Sequence, residues 1–207
     1  MTAIRSLLAA APVIPVIRIA DADDAVPMAR ALFAGGIHIA EITLRTPPAL
    51  DAIRHMAAEV PEIATGAGTI LNPSDLDAAA DAGASFFISP GFSPALLDAA
   101  AERGIAYLPG VATSGEIMQS LERGFDCLKF FPGAPLGTAT IKALAGPFPQ
   151  VSLCVTGGIT PDNASDFLAL PNVLSVGASW IVTDALLEAK DWSGIEANAR
   201  VAAGLGR

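Results

Sequence analysis

Cysteine is nearly missing from this chain: Cys127 and Cys154 are the only two among 207 residues. Two cysteines in this arrangement give neither a disulfide framework nor a metal-ligand spacing. Each sits in an apolar, strand-like run, where a free thiol behaves as a small buried hydrophobe. Positive charge is also scarce. Twelve Lys and Arg stand against 21 Asp and Glu, for a formal charge of −9. With no basic run, the composition argues against a nucleic-acid partner. An acidic surface repels anionic ligands at long range, so a site for an anion must gather local cations or backbone N–H groups. Long apolar runs are missing too. Arg5, Pro12, Pro15 and Arg18 interrupt the apolar N-terminal stretch. No signal-peptide pattern and no membrane span is expected, and the expected location is the cytoplasm.

What is abundant is apolar residues. They make up 52% of the chain, whereas only 16% of residues are charged. That supplies one substantial core, and a single domain over 1–207 is expected. Eight short strand candidates occur, at 13–19, 38–43, 64–70, 86–90, 106–111, 127–132, 151–158 and 173–179. Ala/Leu-rich helical stretches lie between them. Several open on Ser, Asp or Pro, and several close on Gly, as helix ends favour. This alternation implies a parallel sheet covered by helices. Eight units in so short a chain match a (β/α)8 barrel, with the leading "TAIRSLLAAA" as an extra helix that caps the floor. A doubly wound open sheet is the competing fold, but no G-x-G-x-x-G follows the first strand.

Barrel enzymes work at the C-terminal ends of their strands. The polar residues expected there are Arg18 after the first strand, Glu41, Thr43 and Arg45 at the second, and Thr69 at the third. Pro90 follows the fourth strand. Lys129 and Phe131 end the sixth, Thr156, Gly157 and Gly158 the seventh, and Gly177, Ala178 and Ser179 the eighth. Strand side chains alternate, so Cys127, Lys129 and Phe131 share one face.

Lys129 is the residue that demands a reason, because "DCLKFFPG" buries an ammonium in an apolar run. One reading is structural, an interior lysine paired with Glu41. The other is chemical. Desolvation by Leu128, Phe130 and Phe131 disfavours the charged form, and a neutral amine condenses with a carbonyl to give a Schiff base. The iminium is an electron sink for cleaving a nearby C–C bond, and Glu41 is the carboxylate best placed to move protons. Arg45 on the same rim suits a substrate carboxylate, and Thr69 can add a hydroxyl. The Gly pairs after the last two strands suit a phosphate.

The segments "EITLRTP", "GAGTILNP", "ISPG", "KFFP", "AGPFPQV", "TGGITPDN" and "GASWIV", in this order, make the chain similar nearly end to end to a known family. It resembles the bacterial class I 2-keto-3-deoxy-6-phosphogluconate (KDPG) aldolases, which also act on 4-hydroxy-2-oxoglutarate. The resemblance implies Lys129 as the Schiff-base lysine and Glu41 as the general acid/base. It implies Arg45 and Thr69 on the pyruvate carboxylate, Pro90 and Phe131 shaping the site, and Thr156 near the substrate hydroxyls. Gly157, Gly158 and Ser179 match the phosphate site, a homotrimer is expected, and neither metal nor cofactor is needed. One departure stands out: Gly177-Ala178-Ser179 replaces an expected Gly-Gly-Ser, so the Ala178 methyl is a candidate for crowding the phosphate.

The expected reaction is cleavage of KDPG to pyruvate and glyceraldehyde 3-phosphate, with 4-hydroxy-2-oxoglutarate as a further substrate. The galactonate epimer is an alternative substrate. A phosphosugar isomerase or epimerase on the same barrel, or a phosphate-ligand binder with a structural Lys129–Glu41 pair, are alternatives in kind.

Overall fold

Nine short strands, all paired in parallel, form the central wall in this computed structural model, which describes residues 3–205. They are β1 (Val13–Ile17), β2 (Ile39–Thr43), β3 (Ala64–Gly68), β4 (Phe86–Ile88), β5 (Tyr107–Leu108), β6 (Gly110–Val111), β7 (Cys127–Phe130), β8 (Ser152–Thr156) and β9 (Val173–Ala178). Their spatial order is β5-β4-β3-β2-β1-β9-β8-β7-β6. The two ends of that order are neighbours in the chain, separated only by Pro109. The sheet therefore curls round into a nearly closed barrel, not the open doubly wound sheet.

Pro109 explains why one expected strand, 106–111, appears as two. It has no N–H to give to a ladder. Its carbonyl still accepts from the Lys129 N–H at 2.9 Å, which ties the seam to β7.

Helices wrap the wall: α1 (Ala3–Ala10), α2 (Ala25–Ala34), α3 (Ala49–Glu59), α4 (Pro73–Asp81), α5 (Pro94–Arg103), α6 (Ser114–Glu122), α7 (Gly133–Leu144), α8 (Ala164–Leu168), α9 (Asp184–Glu188) and α10 (Trp192–Ala203). Their starts are chemically marked. The Asn72 side chain accepts from the Asp75 N–H with Pro73 following, and Ser93 accepts from the Leu96 N–H with Pro94 following. Such caps satisfy N–H groups that have no partner within the helix. α7 is broken at Gly137, where φ is 77°.

Strand alternation separates two apolar layers. Outward side chains such as Ile17, Ile42, Leu128, Phe130, Val155 and Ala178 pack beneath the helices. Inward ones, among them Ile14, Ile39, Phe86, Leu108, Cys127 and Cys154, fill the bore together with Ile4 and Leu8 of α1. α1 is thus the floor. Arg5 pins it there through bonds to Ser152 Oγ at 2.6 Å and Asp126 Oδ2 at 2.9 Å. Thr2, the first residue of the expected helix, lies outside the described residues.

Candidate active site

Leu128 and Phe130 face the helices, so Lys129 between them points into the bore. Glu41, in the middle of β2, points inward from across the barrel. Lys129 Nζ lies 3.6 Å from Glu41 Oε1, and the two side chains are 3% and 2% exposed. That distance exceeds a hydrogen bond, and Glu41 Oε1 is buried with no hydrogen-bond partner. An unsatisfied buried carboxylate oxygen costs free energy. The Phe131 ring stands 5.6 Å from Lys129 Nζ and walls the amine on one side.

Cys154 is the register partner of Lys129 on β8. Burial pushes its thiol above the ordinary range, outweighing the nearby Lys129 charge. The sulfur therefore stays protonated at neutral pH, and the amine is the nucleophile available in this part of the bore.

Above the pair lies the rim. Arg45 is exposed, and its Nε donates to Thr69 Oγ1 at 2.9 Å. A cleft of about 500 Å3 opens beside it, lined by Arg18, Thr43, Arg45, Ser179 and Asp184 among others. Arg18, after β1, pairs with Asp184 at 3.2 Å. Pro90 lies two residues beyond β4, its carbonyl group against Gly110 of β6.

Thr156 ends β8, buried, with its hydroxyl 3.9 Å from Cys154 Sγ. Gly157 and Gly158 follow with φ of 99° and 74°, a left-handed path that glycine takes without steric cost. Asn163 secures this loop, accepting from the Thr160 N–H at 2.9 Å and donating to the Gly158 carbonyl at 3.0 Å. Gly177 faces the bore, since a Cβ there would meet Thr156 Oγ1 at 2.5 Å. Ala178, the next residue, turns the other way. Its methyl is buried in the outer layer beneath the helices, turned away from the bore.

Glu41, Lys129, Thr156 and Gly177 thus share the bore, with Arg18, Arg45 and Ser179 on one adjoining cleft. Sequence reasoning passed over Asp184, because its place against Arg18 depends on the turn into α9. The only local signal was Thr183, whose side chain accepts from the Leu186 N–H and marks a helix start. Among the described residues no group of three or more His, Cys, Asp and Glu is arranged to hold a metal ion. No described helix is long and apolar enough to cross a membrane.

A sealed amine beside a carboxylate, with cations on the rim, can bind a keto acid, form an imine and move protons. The family profile for KDPG and KHG aldolase matches residues 4–198. The KHG/KDPG aldolase of Escherichia coli K12 is 49% identical over 202 residues, covering 97% of this chain and 95% of that protein. The crystal structure of KDPG aldolase from Legionella pneumophila, with pyruvate captured as a covalent carbinolamine, superposes with a TM-score of 0.95 at 44% identity. It covers 98% of this chain and 99% of that one. A Zymomonas mobilis KDPG aldolase with 3-phosphoglycerate gives a TM-score of 0.94 at 45% identity, over 99% and 97% of the two chains. The chain belongs to the KDPG and KHG aldolase family.

Proposed function

We propose that the protein is a class I aldolase that reversibly cleaves KDPG to pyruvate and D-glyceraldehyde 3-phosphate. It also cleaves 4-hydroxy-2-oxoglutarate to pyruvate and glyoxylate. The observation that carries this reading is the Lys129–Glu41 pair, sealed yet short of a hydrogen bond.

In this mechanism a proton passes from Lys129 to Glu41, and the neutral amine adds to the C2 ketone. Glu41 supplies the proton with which the C2 oxygen leaves as water, and the iminium forms. Glu41, now a carboxylate, takes the proton of the C4 hydroxyl. The C3–C4 bond breaks, its electrons pass into the iminium, and the aldehyde departs. Protonation of the enamine at C3 and addition of water return pyruvate and the free amine. Arg45 and Thr69 hold the carboxylate, which fixes the ketone against the amine. Pro90 and Phe131 shape the cavity, and Thr156 meets the substrate hydroxyls. Backbone groups of Gly157, Gly158, Gly177 and Ala178, with the Ser179 hydroxyl, receive the phosphate. Arg18 adds positive charge on the cleft.

The same reading treats β5 and β6 as one strand interrupted at Pro109, which makes the fold a (β/α)8 barrel with α1 as an added floor. It takes residues 1–207 as one domain of a cytoplasmic homotrimer. The test is pyruvate release from KDPG, from its galactonate epimer and from 4-hydroxy-2-oxoglutarate, followed with lactate dehydrogenase. The highest kcat/KM is expected on KDPG. A preference for the epimer would reassign the substrate, and no release from any of the three would reject the aldolase.

A further inference from the structure

Arg18 and Asp184 form one border of the barrel mouth. Arg18 Nη1 donates to Asp184 Oδ2 at 3.2 Å, and the two side chains are 53% and 60% exposed. The pair is a partition between two spaces. On one side lies the cleft of about 500 Å3 that also holds Arg45 and Ser179. On the other lies a cavity of about 270 Å3 lined by Asp21, Asp24, Glu188 and Lys190 among others. Among the described residues that line the cleft, Asp184 is the one carboxylate.

Asp184 is held where it stands. It is the first residue of α9, and Thr183 before it caps that helix, accepting from the Leu186 N–H at 3.3 Å. Leu187, one turn on, is buried in the outer core. Past the far end of α9, Lys190 Nζ lies 3.3 Å from Oδ1 of the buried Asp24, in the turn between β1 and α2. This second tie keeps α9 in place when the first opens. Arg18 has no such anchor: among the described residues Asp184 is its single ion-pair partner.

An ion pair this exposed is held by little net free energy. A phosphate offers a guanidinium more, a double charge and oxygens that accept its fork of N–H groups. A phosphorylated ligand in the cleft can therefore draw Arg18 away from Asp184. The carboxylate stays behind, facing the dianion without its counter-charge. Like charge set against a ligand is one of the ways a site limits what it accepts.

We propose that Asp184 determines specificity by opposition: it competes with the substrate phosphate for Arg18 and so lowers the preference for phosphorylated over unphosphorylated aldehydes. The inference rests on the reading of this cleft as the phosphate end of the site. Ser179 and the glycine loops attract the phosphate there, and Asp184 limits how much that attraction counts. A substrate without a phosphate thereby stays in contention with one that carries it.

The test runs the aldol direction, with pyruvate saturating and either D-glyceraldehyde 3-phosphate or D-glyceraldehyde as acceptor. The two acceptors differ only in the phosphate, so the ratio of their kcat/KM values isolates it. Asp184→Asn keeps the shape and removes the charge. It is expected to raise the ratio about three- to tenfold at low salt, the size of a solvent-screened repulsion between a carboxylate and a dianion. In about 0.5 M salt the gain should shrink to less than about twofold. Asp184→Ala, which also removes the charge, should raise the ratio likewise, and Asp184→Glu should leave it near wild type. An unchanged ratio in Asp184→Asn and Asp184→Ala would overturn the inference in favour of an ordinary surface pair. A lower ratio would overturn it in favour of an Asp184 that holds Arg18 in place for the phosphate. Failure of the underlying reading looks different. Wild type would then show no preference for the phosphorylated acceptor, Arg18→Ala would leave the ratio where it was, and this inference would fall with the phosphate cleft.

Discussion

Lys129 and Glu41 approach to 3.6 Å inside the barrel, from β7 and β2, with each side chain at most 3% exposed. Removing one partner strands the other charge away from water. Lys129→Met is expected to lose activity and to cost about 3–5 kcal/mol of stability, because Glu41 is left buried and unpaired. Adding Glu41→Gln to Lys129→Met should recover most of that stability and none of the activity. Urea denaturation of the two variants measures the difference.

Glu41→Gln alone separates binding from proton transfer. The amide keeps the shape but takes up no proton. Cleavage is expected to slow by roughly 100-fold to 10,000-fold, the usual range for a lost general acid/base. KM should change far less. Steady-state kinetics on KDPG decides it, and a rate within a few-fold of wild type would remove Glu41 from the proton path.

Ala178 tests the reading of the phosphate loop. Its methyl lies in the outer core, 2% exposed, while Gly177 beside it faces the bore. Ala178→Gly is expected to cost about 0.5–1 kcal/mol through lost packing and added chain entropy. The ratio of kcat/KM on KDPG to that on 4-hydroxy-2-oxoglutarate should stay unchanged. A rise in that ratio would mean that the methyl had obstructed the phosphate after all.

Acid sensitivity can be traced to the start of α6. Burial pushes the Glu116 carboxyl up, but hydrogen bonds from the Ala112 N–H, the Thr113 hydroxyl and the Thr113 N–H outweigh it and hold it below its ordinary 4.5. A folded value below the unfolded one gives stability that is fully present above the ordinary value and is lost as pH falls through the depressed one. Glu116→Gln should therefore lower the denaturation midpoint near neutral pH and make little difference in strong acid. Thr113→Ala, which removes the cap itself, should cost about 1 kcal/mol.

The sequence was most readable where one physical cause acts alone. Alternation about Lys129 put its side chain in the bore, since Leu128 and Phe130 on either side join the layer beneath the helices. Local chemistry marked the helix starts at Asn72, Ser93 and Thr113. Less was readable where distant segments decide. Pro109 splits a strand whose composition is continuous, and which way each half pairs depends on β4 and β7. The final helices α9 and α10 went unread after the last strand, although α10 packs against α2. The left-handed backbone at Thr69, with φ of 60°, has no local signature, because threonine does not favour it and its flanks bond to β4 and to the segment after β2. Asp184 against Arg18 is likewise a contact across 166 positions of sequence.

The central claim is that Lys129 forms an imine with the keto acid. Borohydride reduction in the presence of pyruvate, read by intact mass and peptide mapping, tests it directly. The account predicts one irreversible pyruvate-derived addition per chain, located on Lys129, and none in Lys129→Met. Folded wild-type protein that takes up no adduct, or takes it up on another lysine, would contradict it.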